Sequence, residues 1–175
     1  MNELPKRKQN RLTNYDYSTK GAYFITICAK DKHEMFGQIT VGDAPPRVPY
    51  CELSEYGEFV DKQIKKINTV YSHVTVDNYV IMPNHIHMIV LVEDGTRRGG
   101  TLTGTRRGAS PTKAVIPQII QSLKSMTTKH FGFNLWQRSY HDHIIRTDAE
   151  YIKIRHYIDE NPERWMDDCY YGGRL

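Results

Sequence analysis

The sequence predicts an α+β fold, an antiparallel sheet with helices packed on one face. Three observations predict it. Short runs rich in β-branched and aromatic residues recur along the chain. Segments with helical spacing of apolar residues separate them. Two of the strands are joined by Pro83-Asn84, a tight-turn dipeptide, so they read as a hairpin. The resulting order is strand, helix, two strands, helix, strand, helix. That order fits a compact two-layer sandwich of the ferredoxin-like kind.

The first strand is GAYFITICAK, Gly21 to Lys30. GQITVGDAPPRVPYCELS follows, with Pro and Gly breaks around two short runs, and reads as an irregular hairpin. In SEYGEFVDKQIKKINTVYS, Tyr56, Phe59, Val60, Ile64, Ile67 and Tyr71 recur at helical spacing behind a Ser54 N-cap. VTVDNYVIM and HIHMIVLVED are the hairpin strands. A second amphipathic helix carries Ile116, Ile119, Ile120, Leu123 and Met126 on one side. LWQRSYHDHIIR is the last strand candidate. The final helix, TDAEYIKIRHYIDEN, opens on Thr147 and Glu150 in capping-box spacing. It should end near Asn161, because the residue before Pro162 is biased away from helix.

At 175 residues the chain reads as a single domain, 1–175, long enough to bury a sizeable core. It is 39% hydrophobic and 25% charged, and no apolar run approaches the roughly 18 to 20 residues of a membrane helix. The basic start has no apolar stretch behind it, so no secretory signal is read and the expected location is cytoplasmic. Cys28, Cys51 and Cys169 are odd in number and widely spaced, which indicates neither a disulfide framework nor a cysteine zinc site.

The net charge of +4 is unevenly placed. From Gly95 to His141 there is no Asp or Glu, while eight basic residues fall there: Arg97, Arg98, Arg106, Arg107, Lys113, Lys124, Lys129 and Arg138. The remainder carries 16 basic and 20 acidic residues, a net of −4. Lys6, Arg7, Lys8 and Arg11 form a second basic cluster. Segregated positive charge is the footprint of a polyanion partner, although a solvated loop has the same look. Within the long window GTRRG occurs twice, nine residues apart, in a Gly/Thr/Arg/Ser context that cannot bury a core. It reads as a flexible basic insert at about 95–114.

Chemistry concentrates in two places. In VIMPNHIHMIV, His85 and His87 lie two apart on a strand and so project from one face, with Ile86 on the other. Two neutral imidazoles side by side are a natural chelate, or else a structural hydrogen-bonded pair. A rival pair, His141 and His143, stands at another strand edge; there His143 is expected to orient a neighbour or to pack. On the last helix, Tyr157 and Asn161 are four apart and share a face, with Lys153 one turn earlier. Tyr151, Ile154 and Ile158 form a neighbouring apolar face assigned to the core. The ordinary reading of Tyr157 and Asn161 is a surface tyrosine and a C-cap. Trp136 and Tyr140 flank Arg138 as aromatic platforms for bases or, for Trp136, as core packing.

Taken together, MPNHIHMIV, WQRSYHDHIIR and YIDENPERW resemble the REP-associated tyrosine transposases, single-tyrosine members of the His-hydrophobic-His (HUH) group. YDYSTKGAYFITICAKDKHEMFG and LSEYGEF add to the resemblance, which runs from about Asn10 to Trp165. It implies a ferredoxin-like fold with the tyrosine helix against the histidine strand. It implies Tyr157 as the catalytic nucleophile and His85, His87 and Asn161 as ligands of a divalent metal. A neutral N/O site of this kind suits Mg²⁺ or Mn²⁺ and does not exclude Zn²⁺. The implied activity is cleavage and rejoining of single-stranded hairpin DNA through a 5′-phosphotyrosine, by a monomer or homodimer. Lys6, Arg7, Lys8 and Arg11 fall where relatives contact DNA. Arg97, Arg98, Arg106, Arg107, Lys124 and Arg138 are the further DNA-binding candidates. Two other readings stand beside it: a nucleic-acid-binding module that does not cut, and a metal-dependent phosphodiesterase using water.

Overall fold

The computed structural model describes residues 20–42, 47–93 and 115–171. Its strands are β1 (Gly21–Cys28), β2 (Gly37–Val41), β3 (Pro49–Leu53), β4 (Val74–Ile81), β5 (His85–Val92) and β6 (His141–Ile145); its helices are α1 (Glu55–Val70), α2 (Val115–Phe131) and α3 (Asp148–Asp159). Four strands form an antiparallel sheet in the order β4-β5-β1-β6, the ferredoxin-like arrangement expected from the sequence. β2 and β3 pair apart from it as the two-stranded hairpin. The basic insert and the N-terminal basic cluster lie outside the described residues. Among the described residues, no helix is long and apolar enough to cross a membrane.

β5 is buried along nearly its whole length, which is why Met88 to Val92 read as a continuous apolar run. Ile86, Met88, Val90 and Val92 point to one face and join Tyr23, Ile25 and Ile27 of β1. α1 covers that face with Val60, Ile64 and Ile67, and α2 with Ile116, Ile119, Ile120 and Leu123. The opposite face is covered by α3, through a smaller cluster of Ile89, Ile145 and Ile158 with Tyr151 and Ile154 beside it.

Local signals explain most boundaries. Ser54 caps α1, accepting from the Gly57 amide at 3.3 Å and donating to the Met35 carbonyl at 2.6 Å. Gly57 itself is required, since a Cβ there would lie 2.0 Å from the Phe36 carbonyl oxygen. Thr147 caps α3 as the sequence predicts.

Two expectations need correction. Met126 does not share the buried stripe of α2 but is 48% exposed. Nor is LWQRSYHDHIIR one strand: only His141–Ile145 pairs along β1. The preceding residues follow an irregular path fixed by other bonds. The Lys30 amide donates to the Leu135 carbonyl at 2.8 Å, and the Gln137 amide to the Cys28 carbonyl at 3.0 Å. Trp136 makes an isolated bridge to Ala29, just past the end of β1, and is buried against Phe36. Its indole N–H donates to Thr127 at 2.6 Å, and Tyr140 is only 8% exposed. The Trp136 ring is not available as a platform for bases.

A candidate metal centre beside a tyrosine

The face of the sheet that α3 covers carries the histidine pair. Cross-strand register sets Cys28 opposite His85 and Thr26 opposite His87. Both imidazoles are fully buried, with ring centroids 4.5 Å apart. Neighbours fix their orientation. His85 Nδ1 lies 2.9 Å from the Asn84 amide oxygen. The Asn84 amide nitrogen is spent on the Lys32 and Tyr170 carbonyls, at 3.2 and 2.8 Å, so its oxygen must face the ring. His85 Nδ1 therefore donates, and Nε2 carries a bare lone pair. His87 Nδ1 is hydrogen-bonded to Thr26 Oγ1 at 2.8 Å, which leaves Nε2 facing Tyr157. Outer partners of this kind are what present imidazole nitrogens to a metal.

α3 and the turn after it bring the remaining groups. The Tyr157 hydroxyl lies 3.2 Å from His87 Nε2 and 3.4 Å from an Asp168 carboxylate oxygen. Asn161, held out of helix by Pro162, donates its amide nitrogen to the same Asp168 oxygen at 3.1 Å. That oxygen is also 4.0 Å from His85 Nε2. The other Asp168 oxygen accepts from the Tyr170 amide at 2.7 Å. One nitrogen of His85, one of His87 and one oxygen of Asp168 all lie within 4.8 Å of one another.

Among the described residues, two buried atoms at this site have no hydrogen-bond partner, His85 Nε2 and the Asn161 side-chain oxygen. Each such atom is costly to bury bare, by about 1–3 kcal/mol. The donor set of two imidazole nitrogens and two side-chain oxygens fits a divalent cation, which would satisfy both. The His85-His87-Asp168 group is therefore one that could hold a metal.

Electrostatics agree with that use. Burial pushes His85 down to about 3, against partial opposition from Asn161. Burial, then the neighbouring His85, holds His87 well below the ordinary range. Both rings are thus neutral and ligand-ready at physiological pH. The Tyr157 phenol is pushed up to about 12, first by burial and then by the Asp168 charge. Even so, Tyr157 is 38% exposed, so its ring is reachable from solvent. It is also braced, its centroid 5.2 Å from that of His87 and 6.1 Å from that of Phe24.

The structure thus brings together Tyr157, His85, His87 and Asn161. It adds Asp168, which sequence reasoning missed; a site assumed neutral contains a carboxylate. Thr26 and Asn84 were missed as well. Asp168 lies in an irregular segment just past a short 3₁₀ turn, where no periodicity predicts facing. Of the basic candidates, Lys124 and Arg138 line a groove of about 600 Å³ with Lys129 and Tyr140. The Lys124 ammonium spends two of its three donors on the Gln137 and Ser139 carbonyls, at 2.8 and 2.9 Å, and burial pushes it down to about 8. Lys6, Arg7, Lys8, Arg11, Arg97, Arg98, Arg106 and Arg107 lie outside the described residues. His141 and His143 are exposed, and His143 holds Glu150 at 2.7 Å, the orienting role expected of it.

No protein-family model matches the sequence. A Haemophilus influenzae protein described as uncharacterized is 32% identical over 174 residues, spanning 94% of this chain and 93% of its own length. Among solved structures, a REP-associated tyrosine transposase bound to a REP hairpin superposes with a TM-score of 0.58 at 17% identity, covering 89% of this chain and 73% of that one. The chain belongs to the family of that Haemophilus influenzae protein, and its fold is that of the REP-associated tyrosine transposases, the group its motifs resemble.

Proposed function

We propose that the protein is a metal-dependent strand transferase acting on single-stranded hairpin DNA, of the REP-associated transposase type. One observation carries the reading: a phenolic oxygen stands 3.2 Å from one of two imidazoles whose group ends in bare, buried ligand atoms. A pure binding module has no use for such a cluster. The hairpin held by the similar transposase structure supports the choice of substrate.

Tyr157 Oη attacks the scissile phosphorus. The P–O bond to the 3′ oxygen breaks, that oxygen takes up a proton and leaves as a 3′-hydroxyl, and the 5′ end stays on the protein as a phosphotyrosine. The phenol gives up its proton in the same exchange. Because the ester keeps the free energy of the broken linkage, a 3′-hydroxyl can attack it and rejoin the strand without ATP. Asp168, 3.4 Å from the hydroxyl, is placed to accept the phenolic hydrogen, while the 3.2 Å contact to His87 Nε2 uses the lone pair that a cation would take; Phe24 limits the swing of the ring. His85, His87 and Asn161, with Asp168, would hold Mg²⁺ or Mn²⁺. When bound, such a cation would neutralise charge on the non-bridging oxygens and favour the phenolate.

The groove bearing Arg138 and Lys129 supplies cationic surface for backbone phosphate, and the N-terminal and insert arginines and lysines would add to it. This activity belongs in the cytoplasm.

The test is Tyr157→Phe, assayed with labelled hairpin DNA and Mn²⁺. Wild type should form a denaturation-resistant protein–DNA adduct, and the variant should bind the hairpin but form none. Cleavage that persists in the variant would favour a water nucleophile. Absence of cleavage by wild type with every divalent metal would favour a binding module.

A further inference from the structure

The geometry points to Asp77 and Asn78 of β4 as positioning residues that set the roll of α3 and thereby aim Tyr157. The inference rests on the proposed role of Tyr157 as nucleophile.

β4 is not regular. Its register against β5 slips between Val76 and Asn78, so Asp77 is the extra residue of a β-bulge. In a regular strand, successive side chains face opposite sides. Here both Asp77 and Asn78 reach α3. Asp77 accepts from the Tyr151 hydroxyl and, at 3.4 Å, from Arg155. Asn78 donates to Asp159 at 2.8 Å. Tyr151, Arg155 and Asp159 are spaced by four and form one stripe of the helix. Three rungs of that stripe are thus tied to two consecutive residues of one strand.

Tyr157 lies off this stripe and reaches over β5 and β1, against His87 and Phe24. α3 has a single buried residue, Ile158, so apolar packing leaves its rotation about its own axis weakly defined. At the rim of a helix, roughly 6 Å from its axis, a roll of about 10° displaces a group by about 1 Å. Displacement of that size at a reacting atom costs about a hundredfold in rate. The bonds on the β4 side are mostly exposed, so they are worth little as stability. Their value is directional.

The bulge offers a direct test. Deleting Asp77 restores an unbroken strand in which Val76 still faces the main core and Asn78 still faces α3. Asp77→Ala is the second variant, should the deletion fail to fold, and Asp77→Asn keeps an acceptor for Tyr151. We expect the deletion and Asp77→Ala to slow adduct formation at saturating hairpin by roughly ten- to a hundredfold. Hairpin affinity and Mn²⁺ affinity should stay at wild-type values, and Asp77→Asn should recover part of the rate. Amide exchange along α3 should quicken, and the 3.2 Å separation of Tyr157 and His87 should lengthen in a structure of the variant. Unchanged adduct rate with unchanged α3 exchange would overturn the inference, as would a rate loss matched by an equal loss of Mn²⁺ affinity. If wild type forms no adduct, the nucleophile reading fails by itself; α3 exchange and the Tyr157–His87 separation then still decide whether the bulge sets the roll.

Discussion

The two faces of the four-stranded sheet are made of different chemistry. Under α1 and α2 lies a continuous apolar layer that runs from Val74 and Val76 through Met88 to Leu123, closed at one end by Phe36 and Trp136. Under α3, the apolar patch is small, and beside it His85, His87, Asn161 and Asp168 are buried together. Burial of apolar surface drives folding, while bare buried polar atoms oppose it. The first face therefore supplies the stability that allows the second to hold groups in an unfavourable but chemically useful state. The contrast can be broken or sharpened by substitutions on either side.

The largest effect should come from the helical face. Trp136 is 1% exposed, packs on Phe36 with centroids 5.0 Å apart, and gives its N–H to Thr127. Trp136→Ala should cost about 3–5 kcal/mol of stability in urea titration. A loss under about 1 kcal/mol would place Trp136 at a yielding surface instead.

How much of this contrast the sequence reveals follows from periodicity. Alternation in β5 puts His85 and His87 together by local geometry alone, whereas Asn161, four residues after Tyr157, sits in the turn beyond the end of α3 and is set by that turn. Ser54 and Thr147 likewise announce their caps. Asp168 escapes because it follows a turn, where facing depends on the whole path of the chain. Pro83-Asn84 reads as a turn, yet the Asn84 side chain is what fixes the His85 ring. The bulge at Asp77 is invisible for a related reason. VTVDNYVI alternates acceptably in either register, and only pairing with β5 shows the extra residue. Lys124 shows another limit: charge along a basic stretch does not reveal that two carbonyls hold this ammonium.

The next effect belongs to the site face and is read through pH. His85 has a folded value of about 3 against an ordinary 6.5, with burial as the leading cause. Between those limits the unfolded chain binds more protons than the folded one, so stability is intact above pH 6.5 and is lost as pH falls toward 3. For metal-free protein in chelator, this one ring should cost on the order of 3 kcal/mol near pH 4. His85→Gln should flatten the acid limb of a stability-versus-pH curve. An identical acid limb in the variant would mean that other groups carry it and that the ring is not held neutral by burial.

The smallest effect should come from the end of α3. Thr147 accepts from the Glu150 amide at 3.2 Å, while the Glu150 carboxylate takes the Arg146 amide at 2.8 Å and holds His143. These bonds are exposed, and the helix they start buries only Ile158. Thr147→Ala should cost about 1 kcal/mol. Because so little apolar surface couples α3 to the sheet, the loss should appear as faster amide exchange in the first turn of α3, with the urea midpoint barely moved. Were the urea midpoint to fall as far as in Trp136→Ala, α3 would be folding as part of the main core. The division of labour between the two faces would then be wrong, and the tyrosine would stand on an element too firmly packed for the bulge in β4 to steer.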